Sequence, residues 1–433
     1  MNHAEANSTS HIGLSPVAPT HWTTTSIGQG VRSHANRFAL DYRTSAATFV
    51  ANDPRSTLFP PTPSQPHNSP RPILDIHSHI NGVHAIPIYR DVARAFGVTR
   101  VVSQVGLVDV PTVKAALGDF VRFIAFPTFR AKDRIHAMTQ GFLDDIPAFR
   151  AHGAGFAKLW NAPRTREFFP GPEGSSMTQF DGEWRVRHAR AAHAQGMGIM
   201  VHIADPDTWF ASRYSNYEIY GRKIDHYRGL RTLLDLIPVP FIGAHMCGWP
   251  EDLDMLDTLL AAHPNLNIDT SATKWVVRAL STHPTSRVVD FFTRWRSRIL
   301  FGSDLVTIDE HVLPSPPPTP VAPLPDNPTN VERAAHAAAV AAAKHPMADL
   351  ADSPEAAFDL YASRYHTLRT LFETDYLGQS PIADPDLMMV DPTNFDDMSA
   401  PLLKGFALPP DILDDIYCNN AARLFASVGC PLT

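Results

Sequence analysis

Only three cysteines occur in the 433 residues, Cys247, Cys418 and Cys430, and no two of them form a CxxC pair. That count excludes a disulfide framework and a structural zinc ribbon, and it fits a reducing compartment. Strong charge of either sign is also missing: 37 Lys and Arg against 44 Asp and Glu leave a formal net charge of −7. No basic face is available to displace counterions from phosphates, so nucleic acid is not an expected partner. No window comes near the roughly 18 consecutive apolar residues of a membrane helix, so a membrane is not expected either. The opening MNHAEANSTSHIGLSP lacks the basic and apolar regions of a signal peptide, and the expected location is cytoplasmic. No GxGxxG turn follows the first apolar run, which speaks against dinucleotide binding.

What is present is a core and an alternation. Apolar residues make up 44% of the chain, enough for a large buried interior. Residues 1–70 carry little periodic apolar pattern and end in the Pro-rich LFPPTPSQPHNSPRP, so they are expected to form a largely irregular extension. From residue 71 onward, short β-branched or aromatic runs alternate with helical ones. Eight strands are expected, at 73–79, 99–105, 120–129, 155–161, 198–204, 240–246, 265–271 and 298–304. Stripes such as Phe142, Ile146, Phe149 and Leu230, Leu233, Leu234, Ile237 give helices between them, as does the stripe Leu253, Leu256, Leu259, Leu260. Eight strands in series predict an α/β chain folded as a single (β/α)8, or TIM, barrel over residues 71–433. A stretch at 305–354 holds the Pro-rich LPSPPPTPVAPLPDNP and reads as an insertion over one face. Helices are expected after it, from Pro354 to about Tyr376 and from Pro410 to about Val428.

Polar residues gather where those strands end. His77 and His79 are two apart on the first strand, so period-two alternation points both imidazoles the same way, with the spacing of adjacent metal ligands. His202 ends the fifth strand, His245 the sixth and Asp304 the eighth. In a barrel these ends converge on one mouth, and histidine with carboxylate is the donor set of a catalytic divalent ion. Taken singly, each has a plainer reading, as a satisfied core histidine or a helix cap.

The ordered motifs DIHSH, GFAKLW, MVHIAD, IGAHMCGWPEDL, NLNIDTSA, RILFGSD and NNAARLF resemble the amidohydrolase superfamily. The resemblance is to the branch of metal-dependent hydrolases and the carboxymuconate-semialdehyde and resorcylate decarboxylases, over about 73–304 and the C-terminal helix. It implies His77, His79, His202 and Asp304 as metal ligands, with Asp304 also accepting a proton. His245 is implied as a polarising base. Lys158 lies near the end of the fourth strand, where some members carry a carboxylated lysine bridging two metals; one ion with an unmodified lysine is the expectation here.

The expected cofactor is therefore one divalent ion, Zn2+ with Mn2+ as the alternative. The expected reaction is hydrolysis of a lactone, ester or amide in a small molecule, with non-oxidative decarboxylation on the same site as the alternative. A barrel without turnover that serves as a binding protein is the third reading. Candidate substrate contacts are Arg130, Lys158, Trp160, Asp205, Trp209, Trp249 and Lys274, with Trp275 beside the last. Arg364 reads as a surface charge and Cys247 as a buried, inert thiol. Whether the chain forms a homo-oligomer stays open.

Overall fold

The computed structural model describes residues 71–129, 131–169, 176–313 and 351–433, with a few positions between 323 and 336. The expected N-terminal extension and most of the Pro-rich stretch lie outside the described residues. Among the described residues, no helix is long and apolar enough to cross a membrane.

The β-branched and aromatic runs form the strands β1 (Ile73–Ile80), β2 (Val98–Val105), β3 (Val121–Ala125), β4 (Phe156–Trp160), β5 (Gly198–His202), β6 (Phe241–Gly243), β7 (Leu266–Asp269), β8 (Ile299–Leu300) and β9 (Leu305–Thr307). They form one parallel sheet in the order β8-β7-β6-β5-β4-β3-β2-β1-β9. The last two are the interrupted halves of the eighth strand. One half pairs with β7 and the other with β1. Across the interruption, Ile76 N donates to Phe301 O at 3.0 Å and Asp304 N donates to His77 O at 2.7 Å. The sheet therefore closes into the expected barrel. Leu305–Thr307, the first residues of the stretch expected as an insertion, pair with β1 as a barrel strand.

Two strands stop short of their expected ends for local reasons. The third ends at Ala125, just before Pro127, which has no N–H to give the ladder. The sixth ends at Gly243, because His245, Met246 and Cys247 all take positive φ, of 58°, 51° and 52°. Helices fill the crossovers, and those at 140–151, 223–236 and 253–262 fall on the predicted apolar stripes. Examples are α1 (Ala85–Ala95), α2 (Gln140–Ala151), α3 (Lys223–Leu236), α4 (Leu253–Ala262) and α5 (Thr273–Thr282). The Asp252 carboxylate accepts from Met255 N to cap α4. α1 has no cap of its own; Asp309, beyond β9, accepts from His84 N and Ala85 N instead.

Alternation along the strands sorts side chains into two layers. Leu74, Ile76, Val102, Ile124, Phe156, Met200, Ile242 and Leu300 fill the barrel interior, where Phe425, Val428 and Leu432 of the chain end join them. The larger outer core lies between strands and helices and takes in Tyr361, Tyr365, Leu368 and Leu371 of α6 (Pro354–Glu373). After α6, a hairpin of β10 (Leu377–Gln379) and β11 (Leu402–Lys404) carries a loop back over the mouth. In the NNAARLF motif, Asn420 Nδ2 donates to Ile299 O at 2.8 Å, tying the final helical segment to β8.

Candidate metal centre

The donor residues are aimed by a fault in β1. Between Asp75 and Ser78 this strand carries one residue more than β2, whose partners are Val101 and Ser103. Such a bulge resets the alternation. Leu74 and Ile76 belong to the interior, yet His77 and His79 also face the centre of the mouth.

There, His77 Nε2 and His79 Nε2 each lie 3.3 Å from Asp304 Oδ1. Their other nitrogens are engaged: His77 Nδ1 donates to Asp269 Oδ2 at 2.8 Å, and His79 Nδ1 donates to Gln104 O at 3.1 Å. Both acceptors lack a proton to return, so each neutral ring carries its lone pair on Nε2. Three lone-pair atoms then face one another, an arrangement that suits a cation between them. His77, His79 and Asp304 together meet the spacing of a metal-holding group, and so do His77, His245 and Asp269.

The electrostatics favour the ligating forms. Burial, followed by the Lys158 charge, lowers the His77 pKa. Burial alone would raise Asp304, but His77, the His79 hydrogen bond and His245 outweigh it and hold the carboxyl far below its usual range. Asp269 behaves likewise: burial opposes ionisation, while His77, His245 and Ser271 favour it more strongly. Lys158 is 2% exposed with Nζ 3.4 Å from His77 Nε2, and burial pushes its amine down to about 8. Asp304 itself sits at φ 57°. At Gly302, a Cβ would come within 2.9 Å of His77 Cβ, so only glycine lets this chain pass so close to the donors.

His245 is set by the left-handed turn after β6. Each left-handed residue other than glycine costs roughly 1–2 kcal/mol. The His245 N–H, which donates to Asp269 Oδ1 at 2.9 Å, helps to offset that cost. A Cβ at Gly243 would lie 2.5 Å from Cys247 Sγ, so the turn also requires glycine there. Ser271 donates its hydroxyl proton to Asp269 and lies 2.7 Å from His245 Nδ1. His245 Nε2 then meets His202 Nδ1 at 3.0 Å. His202 Nε2 is 3.1 Å from Asp205 Oδ1, and Tyr214 OH donates to the second Asp205 oxygen at 2.5 Å.

Of the four expected ligands, the structure thus brings His77, His79 and Asp304 to one point. His202 stands one step away, engaged by His245 and Asp205. A cavity of about 450 Å3 opens over Asp304, His245 and His202, and Asp205, Trp209, Lys274 and Trp275 also line it. Trp160 is not in its lining; its ring lies 6.0 Å from that of His202. Trp249 stacks on Tyr227, behind the wall. Arg130 lies outside the described residues. Cys247 is buried and its thiol is pushed up to about 12 by that burial, which keeps it inert.

Sequence reasoning missed several residues. Asp269, at the end of β7, met the same strand-end criterion as Asp304 and was passed over. Arg364 is a correction: it is 8% exposed and lines the cavity, because α6 lies against the mouth instead of on the surface. Asp384 and Asp386 also line it, from a loop with no sequence signal.

No family model and no curated protein matches the sequence. Solved structures with a similar fold include an amidohydrolase from Burkholderia multivorans with bound HEPES, at 10% identity and a TM-score of 0.37. Another is the 5-carboxyvanillate decarboxylase from Sphingomonas paucimobilis, at 11% identity and 0.37. Both matches cover 82% of this chain and 99% of the other. A second form of the Burkholderia protein, with bound zinc, matches over the same shares at 9% identity and 0.35. The barrel assignment rests on the strand order.

Proposed function

We propose that this chain is a metal-dependent enzyme that hydrolyses a C–O or C–N bond of a small molecule, such as a lactone, ester or amide. The observation that carries the reading is the meeting of His77 Nε2, His79 Nε2 and Asp304 Oδ1, with Asp304 lining a cavity. Those three residues would hold one divalent ion. Imidazole with carboxylate suits zinc, and manganese is the alternative. When bound, such an ion supplies Lewis acidity, which acidifies a water and polarises a carbonyl.

The residues divide the remaining work. Asp269 and the Gln104 carbonyl fix the two rings by their Nδ1 protons, so Nε2 is the nitrogen presented. Asp304 is the donor most open to the cavity, with its side chain 27% exposed against 1% for His77. It takes the proton of the attacking water as the new C–O bond forms, then returns it to the leaving oxygen or nitrogen as the old bond breaks. His245, whose Nε2 meets His202 Nδ1, orients that imidazole at the wall of the same space. Trp209, Trp275, Leu360 and Tyr361 give the cavity apolar walls that exclude water.

A second reading keeps the centre and exchanges the reaction. Arg364 and Lys274 line the cavity together with Asp205, Asp304, Asp384 and Asp386; in this reading a substrate carboxylate would leave as carbon dioxide while a proton takes its place on carbon. One experiment separates the two. The chain is stripped with chelator, reloaded with Zn2+ or Mn2+, and offered lactone, ester, amide and aromatic-acid panels with carbon dioxide followed in parallel. Hydrolysis that depends on metal and is lost in His79→Ala supports the first reading. Carbon dioxide release with no hydrolysis supports the second. No metal-dependent turnover of either kind contradicts both.

A further inference from the structure

Asp75 is fully buried, lies two residues before His77 and belongs to no donor group, yet four donors converge on it. Its Oδ1 accepts from His77 N at 3.2 Å and from Ser303 N at 3.1 Å. Its Oδ2 accepts from Ser303 Oγ at 2.6 Å and from Tyr365 OH at 2.8 Å. Tyr89 OH follows, 3.0 Å from Tyr365 OH. A buried carboxylate with every oxygen engaged by this chain is committed to a structural task.

The location defines that task. The eighth strand is broken between Leu300 and Leu305, Asp304 adopts a left-handed conformation there, and the break is bridged to β1 by Ile76 N to Phe301 O and by Asp304 N to His77 O. Asp75 reinforces those two backbone bonds with side-chain ones. It holds the backbone N–H of one donor residue, His77, and that of the residue preceding another, Asp304. The bulge in β1 makes this possible, because it lets Asp75 face the helical layer while His77, two positions later, faces the mouth. Tyr365 extends the link to α6, whose Leu360, Tyr361 and Arg364 line the cavity.

We propose that Asp75 is a positioning residue for the metal centre: it sets the spacing between His77 and Asp304 and couples that spacing to the helix lining the substrate cavity. This rests on the metal-dependent reading above. Hydrogen-bonded partners behind metal ligands typically contribute about 10–100-fold in metal affinity. Here the partner acts through backbone N–H groups rather than through a ligand ring.

The test uses the full chain, stripped of metal and titrated with Co2+ against a competing chelator, with the visible spectrum recorded at saturation. Asp75→Asn keeps the shape and loses the charge. It is expected to weaken Co2+ binding by about 10–100-fold and to change the visible bands at full occupancy, while the unfolding temperature of the metal-free protein moves by only a few degrees. Tyr365→Phe and Ser303→Ala each remove one donor to Oδ2 and are expected to shift affinity in the same direction by less than about tenfold. These two variants decide the matter if Asp75→Asn does not fold. Wild-type affinity and an unchanged spectrum in Asp75→Asn, or in both milder variants, would overturn the inference and leave the metal reading intact. A wild-type chain that takes up no Co2+ would remove the metal reading, and this inference with it.

Discussion

His77 Nδ1 and Asp269 Oδ2, separated by 192 residues in sequence, meet at 2.8 Å with both side chains buried. The contact fixes the tautomer of the ring and turns Nε2 toward Asp304. Asp269 also accepts from His245 N, so a single carboxylate at the end of β7 orients the residues delivered by β1 and β6.

Asp269→Asn should therefore weaken metal binding by about 10–100-fold in a chain that still folds, because the uncharged amide orients His77 less strongly. Competition with a chelator measures it. Unchanged affinity would show that the ring is held by packing alone.

His245→Asn should separate binding from turnover. His245 is not one of the three donors His77, His79 and Asp304 proposed to hold the ion, so metal content should stay near that of the wild type; a loss of metal would point instead to the group of His77, His245 and Asp269. Turnover of whichever panel substrate the wild type accepts should fall by about 100-fold, because His202 at the cavity wall loses the ring that orients it. Elemental analysis with steady-state kinetics checks both halves of this expectation.

The loop over the mouth depends on Arg278. Its guanidinium bonds Asp384 and, at 3.0 Å, Asp386 Oδ2; Asp386 also accepts from Trp209 Nε1 at 3.0 Å and from Thr208 Oγ1 at 3.0 Å. Hydrogen bonds to charged groups contribute about 1.5–3 kcal/mol each. Arg278→Ala should accelerate hydrogen exchange across 380–399 by tenfold or more, while metal content stays constant. An unchanged exchange rate would assign the loop's order to its apolar contacts.

Acid should weaken the fold through two histidines remote from the centre. Burial first, then Arg185, lowers His188 to about 3; burial first, then Arg369, lowers His366 to about 3. Each group is depressed below its unfolded value of about 6.5, so its contribution is fully present above that pH and is lost as pH falls from 6.5 toward 3. The slope is about 1.4 kcal/mol per pH unit for each histidine. Urea unfolding in chelator between pH 7 and 4.5 should show His188→Gln losing stability less steeply than the wild type. Parallel slopes would contradict the assignment.

Much of this was legible in the sequence, for identifiable reasons. A parallel barrel strand is a short apolar run, and the side chain at its end reaches the mouth wherever the chain goes next. His77, His79 and Asp304 could thus be placed in the mouth without knowing the loops. The bulge in β1 left no trace, since period-two reasoning puts His77 and Asp75 on the same face, whereas the structure separates them. The left-handed turn at His245 was equally invisible, because Met246 and Cys247 are not residues that announce positive φ. Arg364 was misjudged because an arginine on a long helix reads as solvated until a second layer covers it. The loop bearing Asp384 and Asp386 has no periodicity, and its position follows from Arg278, about a hundred residues earlier.

The central claim is that side chains from opposite ends of the barrel sequence hold one ion. Anomalous diffraction at the zinc edge, on crystals of the zinc-loaded chain, tests it most directly. The account predicts a single strong peak within bonding reach of His77 Nε2, His79 Nε2 and Asp304. A zinc-loaded crystal with no peak there, or with its only peaks elsewhere on the chain, would contradict it.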